Sequence, residues 1–136
     1  MFEGGCLCGE VRYRVDGEPL AGMACHCRDC QYLSGGGEAN VVVVPRQTLS
    51  VTAGKDRVFR STAESGTEVW RSFCPTCGTP LFAGNAKSSE FVAVKAGSLD
   101  DPALFTRQGH VWVSSAPAWH LMEPGLPTAE KNPSFL

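Results

Sequence analysis

Apolar and polar residues alternate with a period of two at several points along the chain, and no stretch sustains a 3.6-residue period. Val11-Arg12-Tyr13-Arg14-Val15 is the clearest case, a half-buried strand closed by turn chemistry at Asp16-Gly17-Glu18-Pro19. Val41 to Val44 is a β-branched run stopped by Pro45, and Leu49-Ser50-Val51-Thr52 alternates again before Ala53-Gly54. Arg57 to Ser61, Val69 to Phe73, Phe91 to Ala96 and His110 to Ser114 repeat the pattern, each bounded by Gly, Pro, Ser or Asp. The reading is a mostly β domain. Helix is expected only as single turns, one after Asp29 and one over Asp100 to Phe105, where an aspartate precedes a proline suited to a first helical position. From Pro124 to Leu136 the three prolines and the lack of periodicity predict an irregular tail, either lying on the surface or partly disordered.

Length and charge narrow the possibilities. A chain of 136 residues with 43% hydrophobic content supports one core, so residues 1–123 are read as one domain and 124–136 as its tail. Twelve basic and fourteen acidic side chains give a net charge of -2 without a run of either sign, which argues against nucleic acid and anionic lipid as partners. The N-terminus has neither a basic nor an apolar leader region, and no apolar stretch approaches the roughly 18 residues of a membrane span, so a soluble, cytoplasmic protein is expected.

Seven cysteines are an odd number, which rules out complete disulfide pairing and makes metal binding the leading use of sulfur. They fall into three groups: Cys6-Leu7-Cys8-Gly9, Cys25-His26-Cys27-Arg28-Asp29-Cys30 and Cys74-Pro75-Thr76-Cys77-Gly78. Two residues between Cys74 and Cys77 turn the chain so that both thiolates can meet one ion, with Pro75 presetting the turn and Gly78 permitting the tight backbone after it. Cys6 and Cys8 would share a face on an extended backbone and could supply the other half of a closed, tetrahedral, structural site. Cys25, Cys27 and Cys30 then remain as three ligands with an open fourth position, the construction of a catalytic zinc site. A rival pairing joins Cys27 and Cys30 to Cys74 and Cys77 as a zinc ribbon and strands Cys6, Cys8 and Cys25.

These three motifs, in this order, resemble the glutathione-dependent formaldehyde-activating enzyme family, which includes centromere protein V. The resemblance extends to Ser34-Gly35, to Ala96-Gly97-Ser98-Leu99-Asp100-Asp101, to His110-Val111-Trp112 and to Pro117-Ala118-Trp119, and so covers nearly everything but the tail. It implies an Mss4-like β-tent of antiparallel sheets, a structural zinc on Cys6, Cys8, Cys74 and Cys77, and a catalytic zinc on Cys25, Cys27 and Cys30, two Zn²⁺ per chain. The implied activity is that of a carbon–sulfur lyase that condenses glutathione with formaldehyde. The implied partner is a small thiol or thiol adduct. A non-enzymatic zinc-binding module on the same fold is the competing expectation, and the open three-cysteine site is what separates the two.

Around the sulfurs, His26 would point away from both neighbours on an extended backbone and is not expected as a ligand. His110 and His120 are candidates for general acid/base work or for outer hydrogen bonding, although packing alone would account for them. Arg28 is a candidate donor near the open site. Trp70 and Phe73 are expected in the core, with Trp112 and Trp119 also available to line a pocket. Gly35-Gly36-Gly37 reads as a flexible turn, and Arg12 and Arg14 as ordinary exposed strand residues.

Overall fold

In the computed structural model, which describes residues 1–132, strand β4 (Ala39–Pro45) runs through the middle of the larger sheet, paired antiparallel on both sides, with β3 (Ala21–Cys25) and β9 (Phe91–Lys95). A run of four valines suits this position, because alternate side chains leave on opposite faces. Val42 and Val44 are buried in the core, and Val41 and Val43 lie half-buried on the other side. The sheet continues through β8 (Pro80–Asn85) and β7 (Glu68–Phe73) to β6 (Arg57–Thr62) at one edge, and ends at the other in β10 (Gly109–Val111), which pairs parallel with β3. A second, three-stranded sheet has the order β1 (Phe2–Gly5), β2 (Arg12–Val15), β5 (Leu49–Ala53), all antiparallel.

The core lies between the sheets. Val11, Tyr13 and Val15 are fully buried and meet Val42, Val44, Leu81, Phe82, Val92 and Val94. Tyr13 sits edge-on to Phe82 at 5.0 Å, and its hydroxyl reaches Ser98 Oγ at 2.7 Å. Gly4 faces Tyr13 across the β1–β2 pair, and a Cβ there would lie 2.3 Å from the tyrosine oxygen. Arg12 is held by Asp100 through two N–H donors, and Arg14 pairs with Asp16.

The mostly β expectation holds, and several details differ. β1, β3 and β8 carry little alternation, being rich in Gly, Ala and Cys or buried on both faces, and become strands through their neighbours. The strand expected over His110 to Ser114 stops at Val111, because Trp112 takes a left-handed conformation (φ 58°) and Val113–Ser115 forms a 3-10 turn. The turn expected after Asp29 is a two-turn helix, α1 (Arg28–Ser34), while the aspartate-capped turn is present as a 3-10 turn over Pro102–Leu104, with Asp101 accepting from Ala103 N–H. Past Pro124 the chain is irregular but tied down: backbone bonds join His110 to Pro127 and Ala129, Val113 to Ala129, and Trp112 to Lys131. The last part of the expected tail, 133–136, lies outside the described residues.

Candidate metal centres and their surroundings

The first sulfur group is built by two turns of the same design. After Cys6 the chain turns so that Gly9 N–H reaches Cys6 carbonyl (3.1 Å), and after Cys74 it turns so that Gly78 N–H reaches Cys74 carbonyl (2.9 Å). Both glycines take positive φ, 80° and 79°, the left-handed conformation that side chains disfavour. Cys6 and Cys8 therefore converge through a turn, where an extended backbone was expected. Backbone N–H groups also point at the sulfurs, from Val11 to Cys6 Sγ (3.2 Å) and from Thr76 and Cys77 to Cys74 Sγ (3.4 and 3.5 Å). Such donors favour thiolate over thiol. The four sulfurs of Cys6, Cys8, Cys74 and Cys77 all lie within 4.8 Å of one another. Thr79 donors hold Cys77 down to about 5.

The second group stands at the end of β3. Cys25 closes the strand, Cys27 caps α1 by accepting from Cys30 N–H, and Cys30 follows one turn later, bringing the three sulfurs within 4.8 Å of each other. Hydrogen bonds from Cys25 and Cys30 hold Cys27 down to about 2, with the Arg71 charge adding to them, whereas Cys25 is pushed far up by its bonds to Cys27 and Cys30 and by burial. Neighbouring sulfurs cannot all ionise without a cation to balance them. Both groups offer the soft donor set that a thiophilic metal takes, and all seven cysteines are unpaired. The ribbon pairing is not what the fold assembles: Cys74 and Cys77 meet Cys6 and Cys8.

His26 lies between two of these sulfurs in sequence and fully buried in space, with both ring nitrogens taken by other imidazoles. The ends of this chain fix its direction. Glu123 N–H donates to His110 Nε2 (3.0 Å), so neutral His110 donates from Nδ1 to His26 Nε2 (2.9 Å); His26 then donates from Nδ1 to His120 Nδ1 (2.8 Å), and His120 Nε2 donates to Gly36 carbonyl (2.8 Å). Every bond is satisfied with three neutral rings. Burial depresses His26 and His110 below the usual histidine range. His110 and His120, which packing alone would have explained, are thus joined to the cysteine loop. Gly35 (φ 82°) caps the end of α1 and Gly36 (φ 119°) receives this contact, an ordered role where a flexible turn was expected.

Other side chains are placed differently from expectation. The cation acting on Cys27 is Arg71, while Arg28 bonds Gln31 and lies 4.9 Å over the Tyr32 ring. Arg71 comes from β7, distant in sequence, and carries no motif that could have marked it. Trp70 packs on the core as expected, but Phe73 faces a cleft. Trp119 is exposed and sits edge-on to His120, and Trp112 donates to Asn132 Oδ1 (2.9 Å).

The sequence profile of the glutathione-dependent formaldehyde-activating enzymes matches residues 1–115. The chain belongs to this family. Relatives provisionally named glutathione-dependent formaldehyde-activating enzymes include one from Halomonas elongata, 26% identical over 124 residues (88% of this chain, 79% of the relative), and one from Aspergillus flavus, 34% identical over 86 residues (60% of this chain). Of the Aspergillus protein's own length, 44% is spanned. A crystal structure of a Rhodobacter sphaeroides protein shares the fold of this family member, with a TM-score of 0.59 at 19% identity, over 93% of this chain and 98% of that one. No helix among the described residues is long and apolar enough to cross a membrane.

Proposed function

We propose that this protein is a zinc-dependent enzyme of the carbon–sulfur lyase type, acting in the cytoplasm on a small glutathione-like thiol and an aldehyde. The observation that carries the reading is the division of the cysteines into a group of four and a group of three. Cys6, Cys8, Cys74 and Cys77 would hold a structural zinc, since four thiolates close its coordination and tie the N-terminus to the β7–β8 turn. Cys25, Cys27 and Cys30 would hold the second zinc, which when bound supplies Lewis acidity toward a thiol or an aldehyde oxygen.

The chain's own residues do the rest. Cys27 and Cys25 come from opposite sides of a strand-to-helix junction, so β3 and α1 set the spacing of the sulfurs. Arg71 offsets the negative charge that three thiolates leave at the site. His26 is bonded through His110 and His120 to Glu123 and Gly36, which restrains the loop carrying Cys25 and Cys27 against the segment after α1. We take residues 1–123 as the zinc-binding domain and 124–136 as a tail that packs along β10 as far as it is described.

The test is a metal count together with a turnover assay. Purified protein should hold two zinc ions per chain and accelerate the formation of S-hydroxymethylglutathione from glutathione and formaldehyde, followed by NMR. A protein that holds both zincs and accelerates nothing with any thiol and aldehyde tried would be a zinc-binding module without catalysis.

A further inference from the structure

His26 stands between Cys25 and Cys27, and it is held at every polar atom it has. Its backbone N–H donates to Val111 carbonyl (3.0 Å), and its carbonyl accepts from Gln31 Nε2 (2.9 Å), a buried amide that also donates to Ser115 carbonyl (3.1 Å). Its ring meets His110 at one nitrogen and His120 at the other (2.9 and 2.8 Å). Three of these contacts come from elements whose place is already fixed: β10, which lies beside β3, carries Val111 and His110, and α1 carries Gln31. The fourth is different in kind. His120 lies outside every strand and helix, and among the described residues it is the one side chain that bonds both His26 and the chain after α1, at Gly36 carbonyl (2.8 Å). Cys25 and Cys27 flank His26, and Cys30 rides on α1, so His120 clamps both ends of the segment that carries all three sulfurs.

We propose that His120 is a positioning residue of the three-cysteine centre, accepting the His26 Nδ1 proton and donating to Gly36 so as to set the spacing of Cys25, Cys27 and Cys30 for a metal ion, an assignment that rests on the reading of these cysteines as the second zinc site. Its action passes through His26 and Gly36, since His120 makes no hydrogen bond to a sulfur itself. Two observations support the role. His26 is fully buried and His120 is 7% exposed, with the Trp119 ring edge-on to it at 4.7 Å. Buried imidazoles are a costly filling for space that apolar side chains could take, and a hydrogen-bond chain satisfied at each step fixes one arrangement where apolar packing tolerates several. The second observation is the place of the residue in the chain. The family profile ends at residue 115, so the clamp comes from a stretch outside the part of the chain that the profile matches.

The experiment challenges the zinc-loaded, full-length protein with graded chelator, follows zinc release, and refills the emptied site with cobalt(II), whose d–d bands report the arrangement of the thiolates. A Cys30→Ser control identifies which release belongs to the three-cysteine site. His120→Leu, which fills the space without accepting a proton, and His120→Ala should each weaken metal binding at that site about tenfold, the low end of the loss when an outer partner of a metal site is removed, and should shift the cobalt bands. Release from the four-cysteine site should not change, and its retained zinc shows that each variant is folded. His120→Asn, whose side-chain oxygen can take the His26 Nδ1 proton, should restore most of the affinity and the wild-type bands. Two replacements of different size keep the comparison available if one of them does not fold. Unchanged release and unchanged bands, equal loosening of both sites, or an asparagine variant no better than leucine would each overturn the positioning role. A wild-type chain that holds one zinc instead of two would remove the metal reading and the positioning role with it, whereas His120-dependent binding without turnover would retain the role and remove only the proposed reaction.

Discussion

Removing Cys74 and Cys77 together, as the double serine variant, should cost the protein far more stability than removing Cys27 and Cys30. Cys8 and Cys74 are 66 residues apart and their sulfurs lie 3.8 Å from each other. Treated as a cross-link, a tie closing a loop of that length withholds about 4 kcal/mol of chain entropy from the unfolded state at 25 °C. The tie from Cys25 to Cys30 closes only a few residues, for which the same relation gives about 2 kcal/mol. Even that is an upper figure, because α1 and its Cys27 cap already fix most of the segment. In a domain of this size each kcal/mol moves Tm by roughly 3–4 °C. The Cys74/Cys77 variant should therefore melt about 15 °C below wild type, and the Cys27/Cys30 variant no more than about 7 °C below. Thermal melts by circular dichroism with zinc content measured on the same samples make the comparison. If the two variants melt together, or the first melts like wild type with one zinc missing, the four cysteines do not tie the N-terminus to the β7–β8 turn.

Cys30→Ser alone should abolish turnover of a thiol–aldehyde adduct while the zinc of the four-cysteine site stays bound, read by metal content and NMR assay. Tyr13→Phe removes the buried hydroxyl that bonds Ser98 at 2.7 Å and should cost about 1–2 kcal/mol, a fall of a few degrees in Tm. Gly84→Ala should destabilise more visibly, since a Cβ there would lie 2.7 Å from the Trp70 ring; a melt equal to wild type would mean that the ring moves freely aside. His110 is held neutral by burial with its folded pKa below the ordinary value near 6.5, so the unfolded chain takes up the proton first. The stability it contributes is complete above about pH 6.5 and is lost as pH falls toward the folded value, and Tm measured from pH 7.5 to 5 should fall more steeply in wild type than in His110→Gln.

Period-two alternation and a β-branched run need only neighbouring residues, so β2, β4, β5, β6, β7 and β9 could be read from the chain, as could the three cysteine groups, whose ligand spacings are local. Counting excluded complete pairing of seven sulfurs but left two divisions into four and three open, and it is the fold that brings Cys6 and Cys8 to Cys74 and Cys77. Other features depend on which distant segments meet. β3 is a strand because β4 and β10 flank it, Gly22 being required where a Cβ would lie 2.0 Å from the Thr106 carbonyl oxygen. The only three histidines of the chain, at 26, 110 and 120, form one directed hydrogen-bond chain because β10 lies beside β3, a parallel pairing that no local pattern announces. Arg57, Arg71 and Lys95 look like ordinary strand cations in sequence. They share a face only because register fixes which side of the sheet each residue takes, and register is set by burial across the whole sheet, which no single strand contains.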